Sequence, residues 1–110
     1  MIPEILITAM IAVESGGRDD AIGDSGHTFG CLQIHSRVVT DVNRISGLQM
    51  RHEDVFNRAV AIETAKIYLS YYAMKSGQKI TPELLARIWN GGPDGWRKPS
   101  TKRYWRKVQQ

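Results

Sequence analysis

The chain is poor in the features that mark specialised protein classes. It holds one cysteine in 110 residues, Cys31, so no internal disulfide can staple it. It shows no internal repeat, no linker and no low-complexity stretch, and its four prolines are scattered. No segment reads as a leader or a membrane span. The apolar opening from Met1 to Val13 is too short to cross a bilayer, and Glu4 stands where a secretory leader carries Lys or Arg. No small-x-small cleavage site follows it, so the segment reads as a buried helix. Apolar residues at 42% and charged residues at 24% are ordinary globular values, which excludes collagen-like, disordered and disulfide-scaffold classes. Residues 1–110 are therefore expected to form one domain with one core.

Acidic residues are missing from the end of the chain. The net charge is +4, and Arg97, Lys98, Lys102, Arg103, Arg106 and Lys107 supply six positives with no acid among them. The residues before them sum to −2. A basic end on a mildly acidic body points to a polyanionic partner: nucleic acid, an anionic membrane or a charged wall polymer.

The pattern along the chain is helical. Pro3 suits a first turn, and Ile5–Val13 continues the helix to Glu14 or Ser15, where Gly16-Gly17 stops it. Residues 16–30, rich in Gly, Asp and Ser, read as a loop with a small hairpin. Val38, Val39, Val42 and Ile45 form the stripe of a short helix from Ser36. Three- and four-residue steps through Val55, Phe56, Ala59, Ile62, Ala65, Leu69 and Ala73 predict a helix over 54–76, with Gly77 past its end. Thr81-Pro82-Glu83 is a helix start, and Asn90-Gly91-Gly92-Pro93 ends that helix. A last short helix, carrying Tyr104, Trp105 and Val108, is predicted from Ser100 or Thr101. The sum is a compact, mainly α domain with a small β or loop segment.

Glu14 is the first candidate for chemistry. It ends an uncharged run at the lip of the core, where burial raises a carboxyl pKa toward what a general acid needs. A glutamate at a helix C-terminus also opposes the dipole, so the position costs stability rather than adding to it. Asp24 follows ten residues later in the glycine-rich loop. Two carboxyls, one buried and one on a loop, are the pair that glycoside hydrolysis uses. Asp19 and Asp20 read as turn formers.

Three motifs then occur in order: Glu14-Ser15, Gly23–Ile34 with its Gly30-Cys31-Leu32-Gln33 turn, and Trp89-Asn90-Gly91-Gly92-Pro93. Together with Thr101-x-x-Tyr104 they resemble the soluble lytic transglycosylase and goose-type lysozyme superfamily, over nearly the whole chain. The resemblance implies an α+β lysozyme-like fold and cleavage of the β-1,4 bond between N-acetylmuramic acid and N-acetylglucosamine. It implies Glu14 as the catalytic acid, Ser15 as the partner orienting it, and Gln33 and Asn90 as groups lining a glycan cleft. Tyr104 would approach the catalytic carboxyl, and Trp89 would offer an aromatic face to a sugar. Asp24 falls where goose-type enzymes place a loop aspartate, and His35 where they tend to have a second one. Two outcomes share this scaffold: water attacks, helped by Asp24, or the muramyl C6 hydroxyl attacks and closes a 1,6-anhydro ring. The implied partners are peptidoglycan strands and, through the basic end, anionic wall polymers. The chain would act on the bacterial wall as a monomer. It would be delivered as phage enzymes are, released by lysis, or be a domain of a longer protein.

Two other readings remain. Cys31 with His27 or His35 could form a cysteine hydrolase. The 97–107 Lys/Arg run with Tyr104 and Trp105 could bind phosphates and stack bases; no nucleic acid is expected if Glu14 and Asp24 are catalytic. Asp24, His27 and His35 have no recognised metal-ligand spacing, so neither metal nor cofactor is expected.

Overall fold

The computed structural model describes residues 2–110; Met1, the start of the apolar opening, lies outside them. Helix α1 spans Glu4–Ser15 and begins directly after Pro3, whose carbonyl accepts the Leu6 and Ile7 N–H groups. It buries Leu6, Ile7, Met10 and Ile11, and ends where Gly16 turns left-handed at φ +65° and donates to the Ala12 carbonyl. No helix among the described residues is long and apolar enough to cross a membrane.

The glycine-rich segment is more ordered than a loop. Three two-residue strands, β1 (Ile22–Gly23), β2 (Thr28–Phe29) and β3 (Ile34–His35), form an antiparallel sheet in that order. Gly23 pairs with Thr28, and Thr28 with His35, so these three residues make one row across the sheet. Strands this short have little stability alone; the core holds them through Cys31, Leu32 and Ile34, all fully buried. At Gly30 (φ +84°) a side chain would sit 2.4 Å from the Val55 carbonyl, so only glycine lets the turn approach the following segment.

Helix α2 (Ser36–Ser46) buries Val39 and Val42. The helix predicted over 54–76 is divided. His52–Phe56 forms a separate 3-10 turn, and α3 runs from Arg58 to Lys75. The cause is Asn57, which adopts extended backbone and accepts the Val60 N–H through its side chain at 3.1 Å. An N-cap of this kind competes with a continuous helix. Helix α4 (Pro82–Gly91) starts as its Thr-Pro-Glu motif dictates, the Thr81 hydroxyl accepting the Leu84 N–H at 3.1 Å. Two 3-10 turns, Gly95–Arg97 and Pro99–Thr101, lead into α5 (Lys102–Gln109), which buries Tyr104 and Val108.

Helix α3 packs against α2 and α4, while α1 lies against α4 and α5. Met10, Leu69, Leu85 and Ile88 are fully buried where these helices meet, and each such side chain contributes about 1.5–3 kcal/mol of burial free energy. The segment after α4 is pinned by Arg87, a buried cation. It donates to Glu83 (2.9 Å), to the Thr101 hydroxyl (2.8 Å) and to the Lys98 carbonyl (3.0 Å). The architecture is mainly α with a small three-stranded sheet, as the sequence implied.

Candidate active site

The end of α1, the sheet, α2 and the end of α4 enclose an open cleft of about 1250 Å³. Glu14, Asp24, Gln33, Trp89 and Asn90 line it, so five of the seven candidate residues share one cavity. The other two, Ser15 and Tyr104, do not line it.

Glu14 reaches the cleft from the last turn of α1. Its carboxyl pKa is pushed up to about 7, because burial penalises the charged form more than Tyr104 and Trp89 favour it through their polar hydrogens. A carboxyl raised this far can hold the proton that a general acid transfers. Tyr104 lies beneath, buried on α5, and its hydroxyl makes no hydrogen bond of good geometry among the described residues. Burial and the adjacent Glu14 charge both push its pKa up, so it stays protonated.

Asp24 stands in the 3-10 turn after β1, largely exposed. Its backbone (φ +50°) and that of Ser25 (φ +55°) are both left-handed, a conformation that costs a non-glycine residue about 1–2 kcal/mol. Such strain persists only where surrounding structure enforces it. The Asp24 carboxylate lies 3.5 Å from His35 Nε2. The His35 pKa is lowered, chiefly by burial and then by Arg37, despite the opposing pull of Asp24.

The side chains of two candidates are engaged in hydrogen bonds within the chain. The Ser15 hydroxyl donates to the Ile11 carbonyl (3.2 Å) and accepts from the Gly17 and Arg18 N–H groups (3.1 Å each). It therefore ties down the turn after α1 and makes no hydrogen bond to Glu14. Gln33 borders the cleft, yet its amide is committed to the sheet. Its Nε2 donates to Gly30 (3.0 Å) and Ala21 (3.3 Å) carbonyls, and its Oε1 accepts the Thr28 hydroxyl (2.7 Å). One acceptor lone pair remains for a ligand. Asn90, by contrast, is exposed in the cleft and makes no side-chain hydrogen bond among the described residues. Trp89 is half-buried, held edge-on by Tyr68 with ring centres 5.7 Å apart and planes at 88°.

Sequence reasoning missed the opposite wall. Asp41 and Arg44 line the cleft from α2, and Tyr68 does so from α3. Asp41 pairs with Arg44 and accepts the Tyr72 hydroxyl. The Tyr72 pKa is pushed up to about 12, by burial first and then by Asp41. The signal was present as Arg37, Asp41 and Arg44 at four- and three-residue steps on α2, with Tyr68 and Tyr72 four apart on α3.

The competing readings lose their geometry. Cys31 is fully buried, and burial pushes its thiol pKa up rather than toward a reactive thiolate. His27 and His35 both turn to Asp24 instead, one to its carbonyl and one to its carboxylate. In the basic end, Tyr104 is buried and Trp96 and Trp105 lean on the core half-buried, which leaves little of a base-stacking platform.

No protein-family model matches the chain. It is 48% identical to a lysozyme of Magallana gigas over 50 residues, which are 46% of this chain but only 36% of that protein. It is 28% identical to a lysozyme of Ostrea edulis, with 96% of this chain and 92% of that one covered. An inhibitor-bound lysozyme from Meretrix lusoria superposes with a TM-score of 0.84 at 27% identity, covering 98% of this chain and 88% of that one. These relatives are bivalve lysozymes, whereas the motifs had suggested goose-type and phage-like enzymes. The chain has a lysozyme-like fold, and bivalve lysozymes are among its homologues.

Proposed function

We propose that this chain is a peptidoglycan glycosidase. It cleaves the β-1,4 bond between N-acetylmuramic acid and N-acetylglucosamine, with Glu14 as general acid. The observation that carries this reading is the Glu14 carboxyl, which lines an open cleft with its pKa raised to about 7. Lysozyme relatives over nearly the full chain support it. Glu14 protonates the glycosidic oxygen as the bond breaks, and positive charge develops at the muramyl ring. Asp24, on its turn in the same cleft, steadies that charge and guides the attacking water. Trp89 offers an aromatic face for a sugar ring, and Asn90 offers an unengaged amide for hydroxyl or N-acetyl groups.

Hydrolysis is the favoured outcome over closure of a 1,6-anhydro ring, because only hydrolysis uses the second carboxylate. Lys102, Arg103, Arg106 and Lys107 lie exposed on α5 while Tyr104 and Val108 face inward. That basic face suits the anionic polymers of a bacterial wall, where a monomer would be retained.

Glu14→Gln keeps the side-chain shape and removes the proton donor. The folded variant is expected to lose at least about a hundredfold in clearing cell-wall suspensions; retained activity would refute the assignment. Mass spectrometry of the released muropeptides separates the two outcomes. Reducing ends mark hydrolysis, whereas anhydromuramyl ends, with an unimpaired Asp24→Asn variant, mark the intramolecular route.

A further inference from the structure

The Asp24 carboxylate is only loosely anchored. It sits on a strained turn, 63% exposed, and makes no side-chain hydrogen bond among the described residues. One side chain there comes within ion-pair reach, His35 at 3.5 Å. The sheet explains the meeting. His35 ends β3 in the row with Thr28 and Gly23, and Asp24 follows Gly23 directly. Two strand spacings, about 10 Å, separate β1 from β3, so the two side chains reach toward each other across the row. The turn before Asp24 is itself fixed by Gly23: a side chain there would lie 2.1 Å from Gln33 Oε1 and displace the amide that ties the turn.

We propose that His35 is the positioning residue for Asp24, holding its carboxylate at the cleft edge for the hydrolytic step. The inference rests on the lytic reading above. The groups facing His35 are Asp24 in its turn, Arg37 on α2, His27 in the loop before β2 and His52 in the 3-10 turn before α3. Burial first, then Arg37 and the two other histidines, hold the ring's pKa below its ordinary value against the pull of Asp24. In its Nε2–H tautomer the neutral ring would then meet the Asp24 carboxylate with a polar hydrogen, across the 3.5 Å that separates them, without forming a full ion pair. Full protonation at lower pH would clamp Asp24 in an ion pair and weaken its pull on water.

Two measurements test this. In cell-wall turnover, His35→Ala is expected to lower kcat about tenfold with KM within about twofold, as a mispositioned group does. His35→Gln, which keeps an N–H donor, should recover most of the loss, and the Asp24→Asn/His35→Ala double variant should be no slower than Asp24→Asn. Separately, NMR should find that His35 titrates at lower pH in Asp24→Asn than in the parent, because an attracting charge is gone. A wild-type kcat in His35→Ala, additive losses in the double variant, or an unmoved His35 titration overturns the proposal. A parent protein that fails to cleave cell walls overturns the lytic reading instead, and the NMR titration still decides the pair.

Discussion

The Tyr104 hydroxyl on α5 faces the Glu14 carboxyl at the end of α1, so the two terminal helices meet under the cleft. The relationship is unequal. Tyr104 favours the charged form of Glu14 and lowers its pKa, while burial raises it by more. The hydroxyl itself finds no hydrogen bond of good geometry. A buried donor left in that state costs about 1–3 kcal/mol, which stability alone does not explain.

Tyr104→Phe should therefore leave stability unchanged or raise it by up to about 1 kcal/mol, since an unpaired polar group disappears. Its effect on chemistry should run upward in pH. Without the hydroxyl, Glu14 loses a group that favours ionisation, so the alkaline limb of the pH–rate profile moves above about 7. A limb that moves down would mean the hydroxyl holds the protonated carboxyl instead.

Glu14 also sets a pH dependence of folding. Its folded pKa of about 7 lies above the ordinary 4.5, so between these values the native state binds more protons than the unfolded state. The stability associated with the protonated group is fully present below pH 4.5 and is lost as pH rises through about 7. The loss amounts to about 2–3 kcal/mol. Glu14→Gln should remove this slope and be more stable than the parent at pH 8. Urea melts at pH 4.5, 6 and 8 measure it; parallel curves for the two proteins would refute the burial of Glu14.

Helix starts with strong local chemistry were legible: Pro3, Ser36 and Thr81-Pro82 all mark helix beginnings to within a residue or so. Asn57 was not, because apolar periodicity ran through it and only the realised side-chain cap shows the break. The same limit governed the site. Glu14 stood out as a charge closing an apolar run, and that is a local property. Ser15 and Gln33 fitted the resemblance by position, but where their polar atoms bond depends on the turn each one holds. Asp41 and Arg44 gain their place only from the tertiary fold, because α3 brings Tyr72 against them.

That second wall gives a separable prediction. Asp41→Asn removes the charge and the strong acceptor facing Tyr72, while burial of the phenol remains. The Tyr72 pKa should fall from about 12 toward 10 without reaching it, a shift visible by ultraviolet tyrosine titration. Arg44 loses its ion-pair partner at the cleft wall. Because Asp41 and Arg44 meet the substrate channel and not the Glu14 carboxyl, KM should rise more than kcat falls. A kcat collapse with unchanged KM would place Asp41 in the proton chemistry instead.

Thr101 keeps the far lip of the cleft in place. Lys98 and Ser100 border the cavity, and the segment carrying them is fastened by Thr101. The fully buried Thr101 hydroxyl donates to the Gly95 carbonyl at 2.7 Å and accepts from Arg87 Nε at 2.8 Å. Thr101→Val keeps the shape but leaves a guanidinium N–H and a carbonyl without this partner in a dry setting. The cost should be about 2–4 kcal/mol, because one loss involves a charged donor. For a domain of this size that corresponds to a fall in Tm of roughly 10 °C. Thr101→Ser, which retains the hydroxyl, should lose less than half as much. Equal losses in both variants would show that the methyl group's packing, and not the Arg87 network, fixes the lip.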